Sequence, residues 1–379
     1  MRPRACFVTC EFHPDIGGVG KSARRITRFL SDAYDIDLVV HTPSVAEGQV
    51  SSSIEDGIRV HRVGRWDDDL DNMAAIRTVV DQLDRRSPFD IFHGFFLPCA
   101  KPCMEVSAGR PVIASIRGND AVSMREKPGW ANLIDWIMDD ATWVTTVASD
   151  LLMRFERGRS RRDECSLLFN SIDLARHEVR WSAESNKGVV GTLANLRKKK
   201  NLPLLLEGYA RIPAALRSQL FIAGSFHLEP ELKDRLESRA EALKLASQLM
   251  LPGIVAPRDV PTVLGKMYVF GVTSDHDGMP NTLLEAAAAG VPIVATAVGA
   301  APDIMTNEVD GLLVPPGEPE ALAGALSRVL ADPALATRLS IAARRMAERF
   351  DYSSERTQWL NLYQRLLSSQ ASAAVSRAG

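Results

Sequence analysis

The sequence predicts an α/β protein made of two Rossmann-like domains, each built on a parallel sheet. Three observations lead there. Apolar runs of strand length alternate with helical stretches along the whole chain. Many of those runs lack polar alternation, as strands buried on both faces do. The length, 379 residues, matches two domains of ~150 residues, each large enough for its own core.

In the first half the strand-like runs are 5–9, 36–41, 58–63, 89–93, 111–116 and 143–148. In the second half they are 188–193, 220–223, 267–272, 292–295 and 311–314. The clearest helical stretches between them are 22–30, 72–83, 202–211, 229–242, 282–289 and 318–330. A polar stretch at 182–187 precedes a new strand and reads as the linker, giving domains 1–183 and 184–352. A last helix is expected at 353–369, followed by a disordered tail of small polar residues at 370–379. Two such sheets leave a central cleft between them. Ligands in these folds bind at the carboxyl ends of strands, so chemistry is sought at strand-to-helix turns.

Bulk properties narrow the function. A net charge of −2 provides no global basic field for nucleic acid. No run of ~18 apolar residues offers a membrane span. The first nine residues are too short and too soon polar for a signal peptide, so the expected location is the cytoplasm. Five cysteines, spread through both halves, do not suggest a disulfide framework. Cys6 with Cys10 and Cys99 with Cys103 have a C-x-x-x-C spacing. No further ligands cluster beside either pair, so core packing is the better reading and no metal site is expected.

Three turns carry the candidate chemistry. The first strand runs into E-F-H-P-D-I-G-G-V-G, where Gly17 and Gly18 let backbone approach a ligand at a helix N-terminus. A tight turn without a ligand explains the same residues equally well. The second turn is S-D-H-D-G-M-P-N-T-L-L-E, from Ser274 to Glu285. Pro280 suits the first helical turn, and Gly278 admits an unusual backbone just before it. Asp277 and Glu285 therefore flank one helix start, either to accept hydroxyl donors or to complement the helix dipole. The third turn, G-T-L-A-N-L-R-K-K-K-N, places Arg197 to Lys200 just after a strand. Four consecutive cations cannot all reach one site, so Lys198 or Lys199 at least is expected to be solvated.

These words resemble the retaining glycosyltransferases of family 4, which have the two-domain GT-B fold. The family's glutamate, seven residues, glutamate pattern appears as Asp277, seven residues, Glu285. The run D-G-M-P-N-T-L-L-E-A-A-A-A-G-V-P-I-V-A-T, then Val298-Gly299 and Pro302-Asp303-Ile304, is similar to the family, as is G-L-L-V-P-P-G at 311–317. The resemblance implies that Glu285 holds the donor ribose and that Asp277 reaches hydroxyls of the donor sugar, although it is one methylene short. It implies further donor contacts from Gly278, Met279, Pro280 and Asn281, and from the amides near Gly17 and Gly18, which can take negative charge. It implies that Lys200 binds the donor diphosphate, together with an arginine. Asn195 stands at the usual arginine place, and Arg197, two residues on, is the substitute. Arg117, where relatives often have histidine, then Asp120, are candidates for phosphate or sugar contact, with a structural ion pair as the alternative. The N-S-I-D turn at 170–173 is read as structural.

On this resemblance the first domain binds the acceptor, the second binds the nucleotide sugar, and the last helix returns to the first domain. The implied reaction is metal-independent sugar transfer with retention by front-face attack, using no cofactor beyond the donor. The acceptor is a glycan, a lipid-linked intermediate or a small molecule. Basic residues at 154–162 and at Lys21, Arg24, Arg25 and Arg28 are read as solvated surface, with contact to anionic lipid at the inner membrane face as the alternative. Two other functions fit the same fold: a sugar-nucleotide epimerase and a non-catalytic nucleotide-sugar sensor. A dinucleotide dehydrogenase fits less well, because I-G-G-V-G lacks the G-x-G-x-x-G spacing.

Overall fold

The computed structural model describes residues 2–14, 17–118, 124–153, 164–178 and 181–378, with side chains up to 370. The chain divides into two compact units, Met1–Phe169 with Ser353–Gly379, and Asn170–Tyr352.

The first unit runs β1 (Arg4–Thr9), α1 (Gly18–Ser31), β2 (Asp35–Thr42), β3 (Val50–Glu55), β4 (Ile58–Gly64), α2 (Asp69–Arg86), β5 (Ile91–Phe95), α3 (Ala100–Val106), β6 (Val112–Ile116), α4 (Trp130–Asp140), β7 (Trp143–Thr146), α5 (Ser149–Met153) and β8 (Cys165–Leu167). Its sheet has the order β3-β4-β2-β1-β5-β6-β7-β8, parallel except for the β3–β4 hairpin. Alternation along β1 supplies both faces: Ala5 and Phe7 join one buried cluster, Cys6 and Val8 the other. Cys6, Cys99 and Cys103 all lie in that second cluster as free thiols, in line with the packing reading. Inside the sheet Asp37 of β2 accepts hydrogen bonds from Arg4 of β1 at 2.7 Å and from Arg59 of β4 at 2.8 Å, and His61 Nε2 of β4 lies 2.9 Å from its Oδ1. Burial raises its affinity for a proton, but the His61 and Arg59 bonds and the arginine charges outweigh this and hold the carboxyl well below the usual carboxylate range.

The second unit runs β9 (Val189–Asn195), α6 (Leu202–Arg211), β10 (Gln219–Ser225), α7 (Glu231–Ala242), β11 (Leu249–Gly253), α8 (Val260–Leu264), β12 (Val269–Val272), α9 (Asn281–Ala288), β13 (Ile293–Thr296), α10 (Ala301–Ile304), β14 (Leu312–Val314), α11 (Pro319–Ala331) and α12 (Pro333–Glu348). Its parallel sheet has the order β11-β10-β9-β12-β13-β14. The strand order reverses beside β9, the position where such sheets hold ligands. A core of Leu202, Leu205, Leu206, Tyr209, Ile222, Leu322 and Leu326 joins α6 and α11 to the sheet.

The last helix, α13 (Tyr352–Ala378), groups with the first unit. Trp359, Leu362, Tyr363 and Leu366 complete that unit's core. Tyr363 hydroxyl meets His93 Nδ1 at 2.8 Å, and His93 Nε2 meets Ser115 Oγ at 2.7 Å. Complete burial, then the Arg117 charge, depresses the imidazole pKa and keeps it neutral. Arg25 of α1 donates to Glu355 at 2.6 Å. The helix continues to Ala378, through residues that composition alone marks as a tail.

Three differences from the sequence reading have physical causes. The polar stretch 182–187 is a surface turn inside the second unit. Residues before it are already fastened there: Ile172 N–H donates to Phe350 O at 2.8 Å, and the Trp181 indole to Tyr268 O at 2.8 Å. Strand β3, V-S-S-S-I-E, carries no apolar pattern because it is an exposed edge, held by its turn and its partner strand. Helix α12 was missed where Pro333 opens it. Asp332 caps it through the Ala334 and Leu335 amides, and Pro at N1 then suits a helix start. Among the described residues no helix is long and apolar enough to cross a membrane.

Candidate active site

The basic turn after β9 is shaped by its own backbone. Lys198–Lys200 form one turn of 3-10 helix, ended by Asn201 in the left-handed conformation at φ 44°. Asn201 also caps α6, accepting from Leu204 N–H at 3.1 Å. Three residues per turn send three consecutive side chains in different directions. Lys198 is exposed. Lys199 and Lys200 instead converge on the turn after β12.

That turn presents Asp277. Lys200 Nζ donates to Asp277 Oδ2, and Lys199 Nζ lies 3.5 Å from Oδ1. Ser274 Oγ and the Gly278 amide complete the set at 3.3 and 3.0 Å. The Asp277 side chain is only 10% exposed. Burial alone would push its carboxyl up. The Lys200 and Lys199 charges and the bonds from Lys200 and Gly278 overcome that, leaving it well below the usual carboxylate range. Its ion pairs therefore persist through neutral and mildly acidic solution, and are lost only as pH falls through that depressed value.

Backbone ties fix the two turns to one another. Asp275 N–H donates to Lys199 O at 3.0 Å, Thr273 Oγ1 to Lys200 O at 3.0 Å, and Asn201 Nδ2 to Asp275 Oδ1 at 2.6 Å. From below, Ala300 N–H donates to Gly278 O at 2.8 Å. Gly299, at φ +56°, permits this approach: a Cβ there would come within 2.5 Å of the Asp277 and Gly278 carbonyl oxygens. The unusual backbone expected at Gly278 is thus found at Gly299, which braces it. Pro280 is the N-cap, with extended ψ 113°, and α9 begins at Asn281, so the proline stands just before the first helical turn rather than in it. Asn281 and Glu285 are four apart and share a face of α9. Asn281 Oδ1 is buried without a hydrogen-bond partner among the described residues, as is Arg197 Nε. Asn170, the first residue of the unit, steadies the same turn by donating to Met279 Sδ at 3.0 Å and, through Nδ2, to Met279 O at 3.3 Å.

Lys200, Asp277, Gly278, Met279, Pro280 and Asn281 thus lie at the carboxyl ends of β9 and β12, with Glu285 one turn into α9. Of Lys198 and Lys199, at least one of which was expected in solvent, Lys198 is the exposed one, while the 3-10 turn faces Lys199 inward. Asn170, in the turn read as structural, and Ser274 and Gly299, quoted in the motif without a role, brace this turn. Their signal was adjacency to the motif, which gives no direction without the fold.

The remaining candidates belong to the first unit. Gly17 caps α1, and the Glu11 carboxylate lies against it, accepting from Gly20 N–H at 3.4 Å. A side chain at 17 would strike that carboxylate, so the glycine admits an internal anion there. Gly18 opens α1. Arg117 is buried, with its guanidinium 4.4 Å from the centroid of Phe95 in a cation–π contact. Asp120 and the basic cluster at 154–162 lie outside the described residues. Arg24 and Arg25 are paired with Asp56 and Glu355.

Residues 176–346 match the family model for glycosyl transferases group 1. N-acetyl-alpha-D-glucosaminyl L-malate synthase of Bacillus anthracis is 22% identical over 286 residues, 71% of this chain and 73% of that protein. HepE of Anabaena, solved in complex with UDP, superposes with a TM-score of 0.78 at 17% identity, over 96% of this chain and 100% of that one. Sucrose-phosphate synthase from Thermosynechococcus elongatus superposes with a TM-score of 0.81 at 18% identity, over 97% and 100%. At such identities the superpositions speak to fold, and the fold is GT-B. Through residues 176–346, this chain is similar to the glycosyl transferases group 1 family, and the relatives that share the likeness include named glycosyltransferases.

Proposed function

We propose that the protein transfers a sugar from a nucleoside diphosphate sugar to an acceptor hydroxyl or amine, with retention at the anomeric carbon and without a metal. The observation that carries this reading is the Lys200–Asp277 pair, held at the switch point of the second sheet inside the family-matched segment. A structural relative was solved with UDP and with UDP-glucose, which supports a donor of that class.

The chemistry needs negative charge stabilised on the departing diphosphate. Lys200 is a preorganised cation for that charge, and Arg197 lies on the same turn. Glu285 is suited to two ribose hydroxyls, one turn into α9, and the orphaned Asn281 oxygen is ready to accept a hydrogen from the donor. Asp277 accepts from donor-sugar hydroxyls once its lysines turn to phosphate. Arg117 and the α1 turn at Gly17 and Gly18 are assigned to the acceptor-binding unit. No side chain in the second-unit site is placed as a covalent nucleophile by this reading. Front-face attack, with the leaving phosphate taking the acceptor proton, follows.

The test is nucleoside diphosphate release from a donor panel with candidate acceptors, with the product's anomeric configuration read by NMR. An acceptor glycoside with retained configuration is expected. A donor isomerised without an acceptor product indicates an epimerase, and tight donor binding without turnover indicates a sensor. Turnover is expected to survive excess chelator. Its abolition, with recovery on adding magnesium or manganese, would contradict the lysine-based account.

Asp277→Ala is expected to lower turnover and blur the choice between sugars carried on one nucleotide. Affinity for the free nucleoside diphosphate should not fall, because the lysines lose an internal competitor. Unchanged kinetics and unchanged sugar preference would return Asp277 to a purely structural role.

A further inference from the structure

We propose that Lys199 is a second diphosphate-pairing residue of the donor site, acting beside Lys200 in a cluster whose excess positive charge the substrate neutralises. The proposal rests on the donor reading given above. It adds a residue to which the motif assigned no role.

Charge balance makes the first argument. Arg197, Lys199 and Lys200 stand on one turn; the two lysines share the Asp277 carboxylate, and the Arg197 charge acts on Lys199. The nearby Asp275 carboxylate is engaged by Asn201 at 2.6 Å. The Glu229 carboxylate on the Lys198 amide offsets Lys198, so Arg197, Lys199 and Lys200 against Asp275 and Asp277 leave the turn with an excess of one positive charge. A nucleoside diphosphate supplies two to three negative charges in a compact group, the sign that this excess favours.

Position makes the second. A lysine with no task on such a turn extends into water, as Lys198 does. The Lys199 side chain is instead only 28% exposed and lies 3.5 Å from Asp277 Oδ1. Its backbone is pinned by the Asp275 amide at 3.0 Å, so the direction of the side chain is set by the fold. Burial, together with the Lys200 and Arg197 charges, pulls its ammonium pKa down against the opposing pull of Asp277. Holding a partly desolvated cation beside two others is unfavourable unless an anion arrives. A neighbouring Arg197 Nε, buried without a partner among the described residues, points to the same unmet demand.

The third argument is exchange of partners. Asp277 touches both lysines, one on each carboxylate oxygen. A diphosphate has enough oxygens to take both ammonium groups at once. Its arrival then releases Asp277 to the hydroxyls of the attached sugar. One lysine would leave Asp277 half-occupied, whereas two make its release complete.

The test is calorimetric titration of inorganic pyrophosphate, and of the nucleoside diphosphate that the wild type binds most tightly, into full-length variants. Lys199→Met keeps the apolar stem without the charge, and Lys199→Gln is the second such variant should the first fold poorly. Both ligands should bind about tenfold more weakly, the scale of one hydrogen bond to a charged group, while the parent nucleoside binds as before. Lys199→Arg should restore most of the affinity, and Lys198→Met should change it less than twofold. If Lys199→Met and Lys199→Gln bind like the wild type while Lys200→Ala is weakened, Lys199 merely balances Asp277: the proposal falls and the donor reading stands. If Lys200→Ala is also unaffected, both fall. If Lys198→Met loses as much as Lys199→Met, the effect is general surface charge and the proposal is overturned.

Discussion

Lys200→Ala is expected to lower kcat by about a hundredfold or more, the scale found when a preorganised group that meets developing charge is removed. The ammonium sits on Asp277 in the resting protein, with 16% of its side chain exposed. It is already oriented and partly dehydrated, so little reorganisation is required when a diphosphate takes the carboxylate's place. Charge on the leaving diphosphate grows as the glycosidic bond breaks, so the interaction strengthens towards the transition state and its loss falls on kcat. Asp277 keeps Lys199, Ser274 and the Gly278 amide as partners in this variant, so the turn should stay folded. An unchanged kcat in a folded Lys200→Ala protein would remove the lysine from the chemistry.

Glu285→Gln is expected to fail differently. Glu285 lies on α9, four residues after Asn281, away from the Lys200–Asp277 pair in sequence and on the helix rather than the turn. Contacts to ribose are much the same in ground and transition states, so their loss is a loss of uniform binding. A neutral amide accepts less strongly from two hydroxyls than a carboxylate does, and hydrogen bonds to a charged group contribute about 1.5–3 kcal/mol. Donor KM should therefore rise about tenfold or more, with weaker binding of the free nucleoside diphosphate and a smaller fall in kcat. Intact nucleotide affinity in this variant would free Glu285 from the ribose role.

The sheets of both units were legible because their central strands are apolar throughout. C-F-V in β1 and I-A-S-I in β6 can only be buried on both faces, and the helices between them follow from that. Edge strand β3 was not legible, because its serines face water and its pairing is imposed by β4. The boundary between units was misplaced for a related reason. Polarity at 182–187 reports solvent exposure, whereas the division at Phe169 depends on where Asn170 and Trp181 pack.

At the site, Asp277, Glu285 and Lys200 could be found because spacing places them at helix and strand ends. Which lysine of K-K-K turns inward could not. That depends on the 3-10 geometry of Lys198–Lys200 and on the left-handed Asn201 that closes it. The glycine at 299 is the same kind of case. Its need appears only when the Asp277 and Gly278 carbonyls are seen against it.

The central claim, a nucleoside diphosphate sugar seated on the Lys200–Asp277 turn, is tested most directly by thermal denaturation across a panel of nucleotide sugars. The account predicts that one donor class raises Tm by about 5 °C or more at ~100 times its Kd. It also predicts that the rise shrinks in both Lys200→Ala and Glu285→Gln. A panel in which no nucleotide sugar shifts the wild-type Tm, or in which both variants shift as the wild type does, would contradict it.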